Sequence, residues 1–305
     1  MRLVITGALG HIGSQLIRSL PDTFPNAEIV MLDNFLVQRY CSLFDLPKKG
    51  SYEFYEIDVL KDNLDNFIHE GDHVIHLAAI TDAASSFDKQ KEVEEVNFHA
   101  TQKIADLCLS KKAKLIFLST TSVYGTQEEE VDEGCDEKDL NPQSPYAQAK
   151  LNSERYLQEL APQGLSYTIL RFGTIFGTSP GMRFHTAINK FSWQASMGLP
   201  ITVWKTAMDQ YRPYLSLDDS INALKFIIKE ELYDQEVYNV LTLNATVGQI
   251  IDLIKNQQPD CEIRLVESKI MNQLSYFVKS EKFKKKGFSY FGDLNRSIRE
   301  TMTQF

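Results

Sequence analysis

The residues Gly7-Ala8-Leu9-Gly10-His11-Ile12-Gly13 follow directly on the apolar run Leu3-Val4-Ile5 and lead into an amphipathic stretch. A strand that turns through glycines into a helix restricts a chain to few folds. Glycine at the turn reaches positive φ, and the missing side chains let phosphates approach the backbone. The helix N-terminus adds free N–H groups and a partial positive charge. A plain tight turn fits the same residues. The nucleotide reading gains weight when an acid stands about 20 residues on, at the end of the next strand. Asp33 stands there, closing Val30-Met31-Leu32-Asp33. Its carboxylate suits ribose hydroxyls and repels a 2′-phosphate, so NAD is expected over NADP; the alternative is an ordinary strand-end turn residue.

The rest of the chain keeps that rhythm. Short β-branched runs over 28–32, 52–57, 73–77, 114–118 and 166–172 alternate with amphipathic stretches over 12–20, 93–110 and 146–160. Continuously apolar strands between helices predict a parallel sheet covered on both faces. After residue 175 the rhythm breaks into Gly, Pro and aromatic segments, which predicts a smaller appended lobe. A strand over 237–241 is expected to return to the main sheet. The expected class is α/β, a Rossmann-type doubly wound parallel sheet with a smaller C-terminal substrate-binding lobe. The division is residues 1–174 plus about 212–241 for the NAD-binding domain, and about 175–211 and 242–305 for the lobe.

Two further clusters point to chemistry. Tyr146-Ala147-Gln148-Ala149-Lys150 sets Tyr and Lys at i and i+4 on one helix face. Such pairs are commonly surface pairs. In hydride chemistry, a cation one turn away lowers the pKa of a phenol that otherwise titrates near 10, making it a usable base. Phe117-Leu118-Ser119-Thr120-Thr121 ends a strand, and strand C-termini are where open α/β sheets place ligands. A hydroxyl there can bond a reacting oxygen, or simply cap a turn.

Together these residues resemble the extended short-chain dehydrogenase/reductases, in the branch of NAD-dependent nucleotide-sugar epimerases and dehydratases. The resemblance runs through Gly7 to Gly13, Asp33, Asp58-Val59, His76-Leu77-Ala78-Ala79, Asn97, Ser119 to Gly125, Tyr146 with Lys150, Arg212 to Asp219 and Tyr238-Asn239-Val240. It implies that Tyr146 is the base, that Lys150 lowers its pKa and holds the nicotinamide ribose, and that Thr120 bonds the sugar hydroxyl. It implies cofactor contacts from Gly7, Gly10, His11, Ile12, Gly13, Asp33, Asn34, Asp58, Val59, Leu77, Ala78, Ala79, Asn97, Lys150 and Phe172. Substrate contacts are implied for Thr81, Thr120, Thr121, Thr174, Arg183, Arg212 and Lys269. Arg212 would meet the diphosphate through its planar donor fork. A homodimer built from the helices starting near Val93 and Tyr146 is implied as well.

The chain also departs from that family. Its 4,6-dehydratases carry Asp-Glu after the catalytic Thr, whereas this chain has Thr121 and Ser122, neither able to protonate a leaving hydroxyl. Dehydration is therefore not expected. Thr174 stands where Asn is usual, Lys269 and Asn272 replace a nearby Arg and Asp, and Tyr276 keeps an aromatic lid position. The segment 174–183 is similar to a bacterial branch of sugar-nucleotide epimerases and nucleotide-heptose 4-dehydrogenases. The leading expectation is a nucleotide-sugar 4-epimerase working through a transient 4-keto sugar. The alternatives are a 4-dehydrogenase or 4-ketoreductase of the same family, and a non-catalytic NAD- or nucleotide-binding protein.

Composition excludes other classes. The net charge of −9 disfavours nucleic acid and anionic membranes as partners. Residues 128–139 hold eight acids and one lysine, so the remainder is nearly neutral; a lysine-rich run follows at 279–286. Both runs read as solvated surface. No run of 18 apolar residues spans a bilayer. Met1 leads so quickly into the first strand that no signal peptide is expected, which with four scattered cysteines suggests a reduced, cytoplasmic protein. The six histidines do not cluster with other ligands, so no metal is expected.

Overall fold

The computed structural model describes residues 1–83, 85–125, 127, 130–267 and 275–305. Seven strands form one sheet: β1 (Arg2–Thr6), β2 (Glu28–Asp33), β3 (Ser51–Glu56), β4 (His73–His76), β5 (Lys114–Thr120), β6 (Ser166–Phe172) and β7 (Val237–Val240). Their spatial order is β3-β2-β1-β4-β5-β6-β7 and every pairing is parallel. The order reverses between β1 and β4, which opens a crevice at their C-terminal ends. The sheet is the Rossmann-type doubly wound arrangement expected, with β7 returning to its edge.

Both faces are covered because the strands are apolar at consecutive positions. Leu3 and Ile5 face one core with helices α1 (His11–Thr23) and α5 (Leu217–Lys229). Val4, between them, faces the other, where α2 (residues 90–111) and α3 (Pro145–Leu160) lie. The period of two sends neighbouring residues to opposite faces.

Helix α2 runs over 90–111, longer than its apolar pattern predicts, and contains a π turn at Glu95–His99. The turn carries a contact to the chain leaving β4. The Asn97 side chain, fully buried, accepts from the Ile80 N–H and donates to the Ile80 carbonyl, each at 2.8 Å. Its own carbonyl takes the hydroxyls of Thr101 and Ser153. The widened turn lets Asn97 pin the chain leaving β4.

Beyond Gly173 a second layer forms. Strands Thr174–Phe176, Tyr211–Ser216 and Leu243–Thr246 make a three-stranded sheet, and Ile201–Trp204 pairs with Ile263–Val266. Helices α4 (Ala187–Ser196), α6 (Val247–Gln257) and α7 (Leu294–Met302) pack on them around Phe191, Tyr214, Ile250 and Ile298.

Most described charged residues of the two runs are exposed, as expected, while the segments that carry them are paired and anchored. Glu130–Val131 pairs in parallel with Phe277–Val278, and Lys279 bridges to Glu130 at 2.6 Å. Val131, Tyr276 and Val278 bury together with Tyr124 and Leu151. These apolar side chains dock the paired segments onto the protein. Tyr276 is accordingly packed inside at 5 % exposure, where a lid was expected.

His76, at the end of β4, lies between the hydroxyls of Thr6 (2.7 Å) and Thr101 (3.1 Å), and burial lowers its pKa to about 3. The folded value is below the unfolded one near 6.5, so the stabilising contribution is complete above about pH 6.5. It is lost as the pH falls toward 3, at up to about 1.4 kcal/mol per unit. His76→Gln keeps a donor and an acceptor there, and denaturant midpoints between pH 7 and 4.5 are expected to fall less steeply than in wild type. Equal slopes would rule out His76 as a source of acid sensitivity.

Candidate active site

The crevice at the strand ends widens into a cavity of about 540 Å³, bounded on one side by the glycine loop and on the other by the second layer. This size lies within the range of small-molecule sites. At the loop, Gly7 has φ +67° and backs onto the chain leaving β4. A Cβ there would lie 2.6 Å from the Ala78 backbone nitrogen. Gly7→Ala therefore combines a left-handed backbone with a backbone collision, a strain of about 1–3 kcal/mol. The expected result is at least about a tenfold loss of dinucleotide affinity, read by isothermal titration. Unchanged binding would show that the loop does not need this close approach.

Asp33, at the end of β2, accepts from the Leu9 N–H through one oxygen and the Phe35 N–H through the other, each at 3.0 Å. Burial raises its carboxyl pKa, opposed by those two bonds and by the Arg39 guanidinium. Each oxygen keeps a further lone pair for a ligand hydroxyl. The glycine turn, the helix N-terminus and this acid form a cradle that fits an adenine dinucleotide. Gly10, His11, Ile12, Gly13, Asn34, Asp58, Val59, Leu77, Ala78, Ala79 and Phe172 all line the same cavity. His11 is turned toward the second layer: its Nε2 lies 2.9 Å from the Gly177 carbonyl, and burial lowers its pKa to about 3.

Across the cavity, β5 ends in Thr120 and α3 begins at Pro145. Ser144 caps that helix by accepting the Ala147 N–H, and proline at the first position suits a helix start. Tyr146 and Lys150 thus stand one turn apart on the wall beside Thr120, and all three line the cavity. Burial raises the Tyr146 phenol; the Arg183 guanidinium and a hydrogen bond with Thr120 draw it back. The Arg183 guanidinium thus pulls on the phenol from the second-layer side of the cavity. Lys150 is itself 4 % exposed, its ammonium 4.6 Å from the centre of the Phe117 ring. Burial lowers its pKa to about 7 against the pull of Glu154.

Behind this wall lies a buried polar network. Glu154 pairs with Arg171 through bonds of 2.6 to 3.1 Å and accepts the Ser119 hydroxyl. Arg171 also donates to Tyr124, which donates to Asn239, each at 2.9 Å.

Thr81, Thr174, Arg183 and Arg212 reach the cavity from the substrate side. Two expected residues do not. Thr121 turns its hydroxyl to the Phe172 carbonyl and the Tyr276 phenol, and Asn97 uses its amide on Ile80. Lys269 and Asn272 lie outside the described residues. Sequence reasoning missed Arg39, Asp82, His185, Lys190, Thr202 and Trp204, which also line the cavity. These are single residues on loops and second-layer elements, and no short sequence pattern marks them. Among the described residues no cluster of His, Cys, Asp or Glu could hold a metal, and no helix is long and apolar enough to cross a membrane.

With this geometry in hand, known proteins can be set beside the chain. A family model described as the NAD dependent epimerase/dehydratase family matches residues 3–240. A trifunctional UDP-glucose 4,6-dehydratase/3,5-epimerase/reductase of Arabidopsis thaliana is 29% identical over 98% of this chain and 46% of its own length. The chain thus spans about half the length of the first curated relatives it matches. An uncharacterized UDP-glucose epimerase of Bacillus subtilis is 28% identical over 84% of this chain and 82% of that one. A UDP-glucuronic acid 4-epimerase of Bacillus cereus, solved with NAD, superposes with a TM-score of 0.85 at 23% identity, covering 100% of this chain and 99% of that one.

Proposed function

The chain belongs to the NAD-dependent epimerase/dehydratase family, and on that footing we propose that it is a nucleotide-sugar 4-epimerase working through a transient 4-keto sugar. One observation carries the reading: Thr120, Tyr146 and Lys150 share a wall of the cavity whose far side is the glycine loop with Asp33. NAD bound along that loop supplies a hydride acceptor that also gives the hydride back.

The chain's own residues do the rest. The glycine turn and Asp33 orient the dinucleotide, and the NAD preference over NADP rests on the Asp33 charge. Tyr146 removes the proton of the sugar hydroxyl and later returns it. Thr120 bonds the reacting oxygen, and Lys150 holds the nicotinamide ribose through its ammonium. Arg212, on the Tyr211–Ser216 strand, binds the diphosphate, so the nucleotide stays fixed while the keto sugar turns. Thr121 and Ser122 offer no acid where dehydration requires one, and the Thr121 hydroxyl is engaged elsewhere. This supports epimerisation over the dehydration performed by several of the relatives.

The test is incubation with UDP-, dTDP-, GDP- and CDP-sugars, following NADH absorbance and product stereochemistry. Inversion at carbon 4 without net NADH is expected. Released keto sugar with stoichiometric NADH would replace the epimerase by a dehydrogenase.

A homodimer through α2 and α3 is part of the same reading. These helices are locked together by the Tyr156–Asp106 hydrogen bond at 2.6 Å and the edge-to-face contact of Phe98 with Tyr156, and so present one surface. Sedimentation is expected to give a dimer, and a monomer would refute that part.

A further inference from the structure

The loop over 177–183 leaves the strand Thr174–Phe176 and folds back across the glycine loop. Ser179 Oγ donates to the His11 carbonyl and the Gly181 N–H donates to Ser14 Oγ, each at 2.9 Å. A Cβ on Gly181 would lie 2.4 Å from the Leu9 carbonyl oxygen, so a side chain there would force the two backbones apart. From the other end, Asn189 of α4 accepts the Gly177 N–H at 3.0 Å and donates to the Arg183 carbonyl at 3.1 Å. The loop is fixed at both ends, and Arg183 enters the same cavity as Tyr146. Its Nε is buried without a hydrogen-bond partner among the described residues. The fold has brought a guanidinium inside and left one of its donors to the cavity.

The groups around this pair sort by sign. Arg183 exerts the strongest attraction of any charge on the Tyr146 phenol, with Thr120 adding a hydrogen bond and Tyr276 opposing. Tyr146 is in turn the strongest attraction on Arg183, with Asp82 adding and Arg39 opposing. His11 and His185 also face Arg183, and both are driven toward the neutral form by burial and by that cation. On α3 itself, Lys150 is drawn to Glu154, and Glu154 is paired with Arg171.

We infer that Arg183 is a positioning residue for proton removal: the loop over 177–183 sets its guanidinium against the Tyr146 phenol and stabilises the phenolate that accepts the sugar proton. In that step the sugar O–H bond breaks as the Tyr146 O–H bond forms. The inference rests on the epimerase reading and deepens it by adding a cation from the second layer to the Tyr146 and Lys150 pair. Because the loop is bonded to the glycine loop, the backbone that receives the dinucleotide also places the charge that prepares the base.

The test titrates tyrosinate absorbance of the NAD-loaded protein, taking the difference between wild type and Tyr146→Phe as the Tyr146 signal. In Arg183→Gln that signal is expected to move up by about 1 to 3 pH units, and in Arg183→Lys to return most of the way. A signal in Arg183→Gln that overlays wild type overturns the inference. Should the glutamine variant not fold, Arg183→Lys decides through the pH profile of kcat/KM on an active sugar nucleotide. Its rising limb is expected to shift with the smaller, more mobile charge, while a raised KM with an unmoved limb means substrate binding alone and overturns the inference. The titration needs no turnover, so a shifted signal in a protein that epimerises no nucleotide sugar removes the functional reading and leaves the Arg183 assignment standing.

Discussion

Tyr146→Phe is expected to lower turnover by about a thousandfold while leaving NAD binding and thermal stability close to wild type. The substitution deletes one oxygen and keeps the ring on the cavity wall, so packing on α3 is preserved. General base catalysis of this kind contributes about 10²- to 10⁴-fold. Thr120, hydrogen-bonded to the phenol, is too weak a base to replace it, and in this reading the Lys150 ammonium is engaged on the nicotinamide ribose. Steady-state rates on an accepted sugar nucleotide, with cofactor affinity measured in parallel, check this. Turnover within tenfold of wild type would move the base elsewhere.

Glu154→Ala carries the largest expected loss of stability. Glu154 and Arg171 are paired at 2.6 Å with side chains 1% and 6% exposed. Removing the carboxylate leaves a guanidinium inside the protein with only the Tyr124 hydroxyl as a described partner, and strips Ser119 of its acceptor. Breaking a buried pair in this way costs about 3–5 kcal/mol. The effect also reaches the site: Lys150 loses the charge that opposes its burial and becomes neutral at a lower pH. Urea denaturation measures the first effect, and an acid-shifted activity profile in any folded variant measures the second. A change below about 1 kcal/mol would mean that Arg171 finds another partner.

What could be read from the sequence follows from how local each signal is. The parallel sheet was legible because runs such as Val30-Met31-Leu32 are apolar at every position, which only a strand covered on both faces tolerates. The glycine loop, Asp33 and the Tyr146/Lys150 pair were legible because each is a short pattern with its own geometry. The π turn was not, since residues 95–99 remain compatible with an ordinary helix and the partner of Asn97 is Ile80, 17 residues away. Asn97 was assigned to the cofactor through the family resemblance, yet its amide is used in holding the chain that lines the cavity. The second layer was legible only as a break in rhythm, because its strands are four residues or so and pair with distant segments, as Ile201–Trp204 does with Ile263–Val266. The charge runs were legible as solvated surface, and what the sequence did not reveal is that Val131 and Val278 anchor them to the protein. Arg183 was placed in the site, but its relation to Tyr146 depends on a loop folding back across 170 residues of chain, which no spacing rule records.

The most direct measurement follows a nucleotide sugar deuterated at carbon 4 through a single conversion. The C4-inverted product is expected to keep the deuterium on carbon 4, with no accumulation of reduced cofactor and no conversion in Tyr146→Phe. Deuterium lost to solvent, or found in released reduced cofactor alongside a free keto sugar, would contradict it.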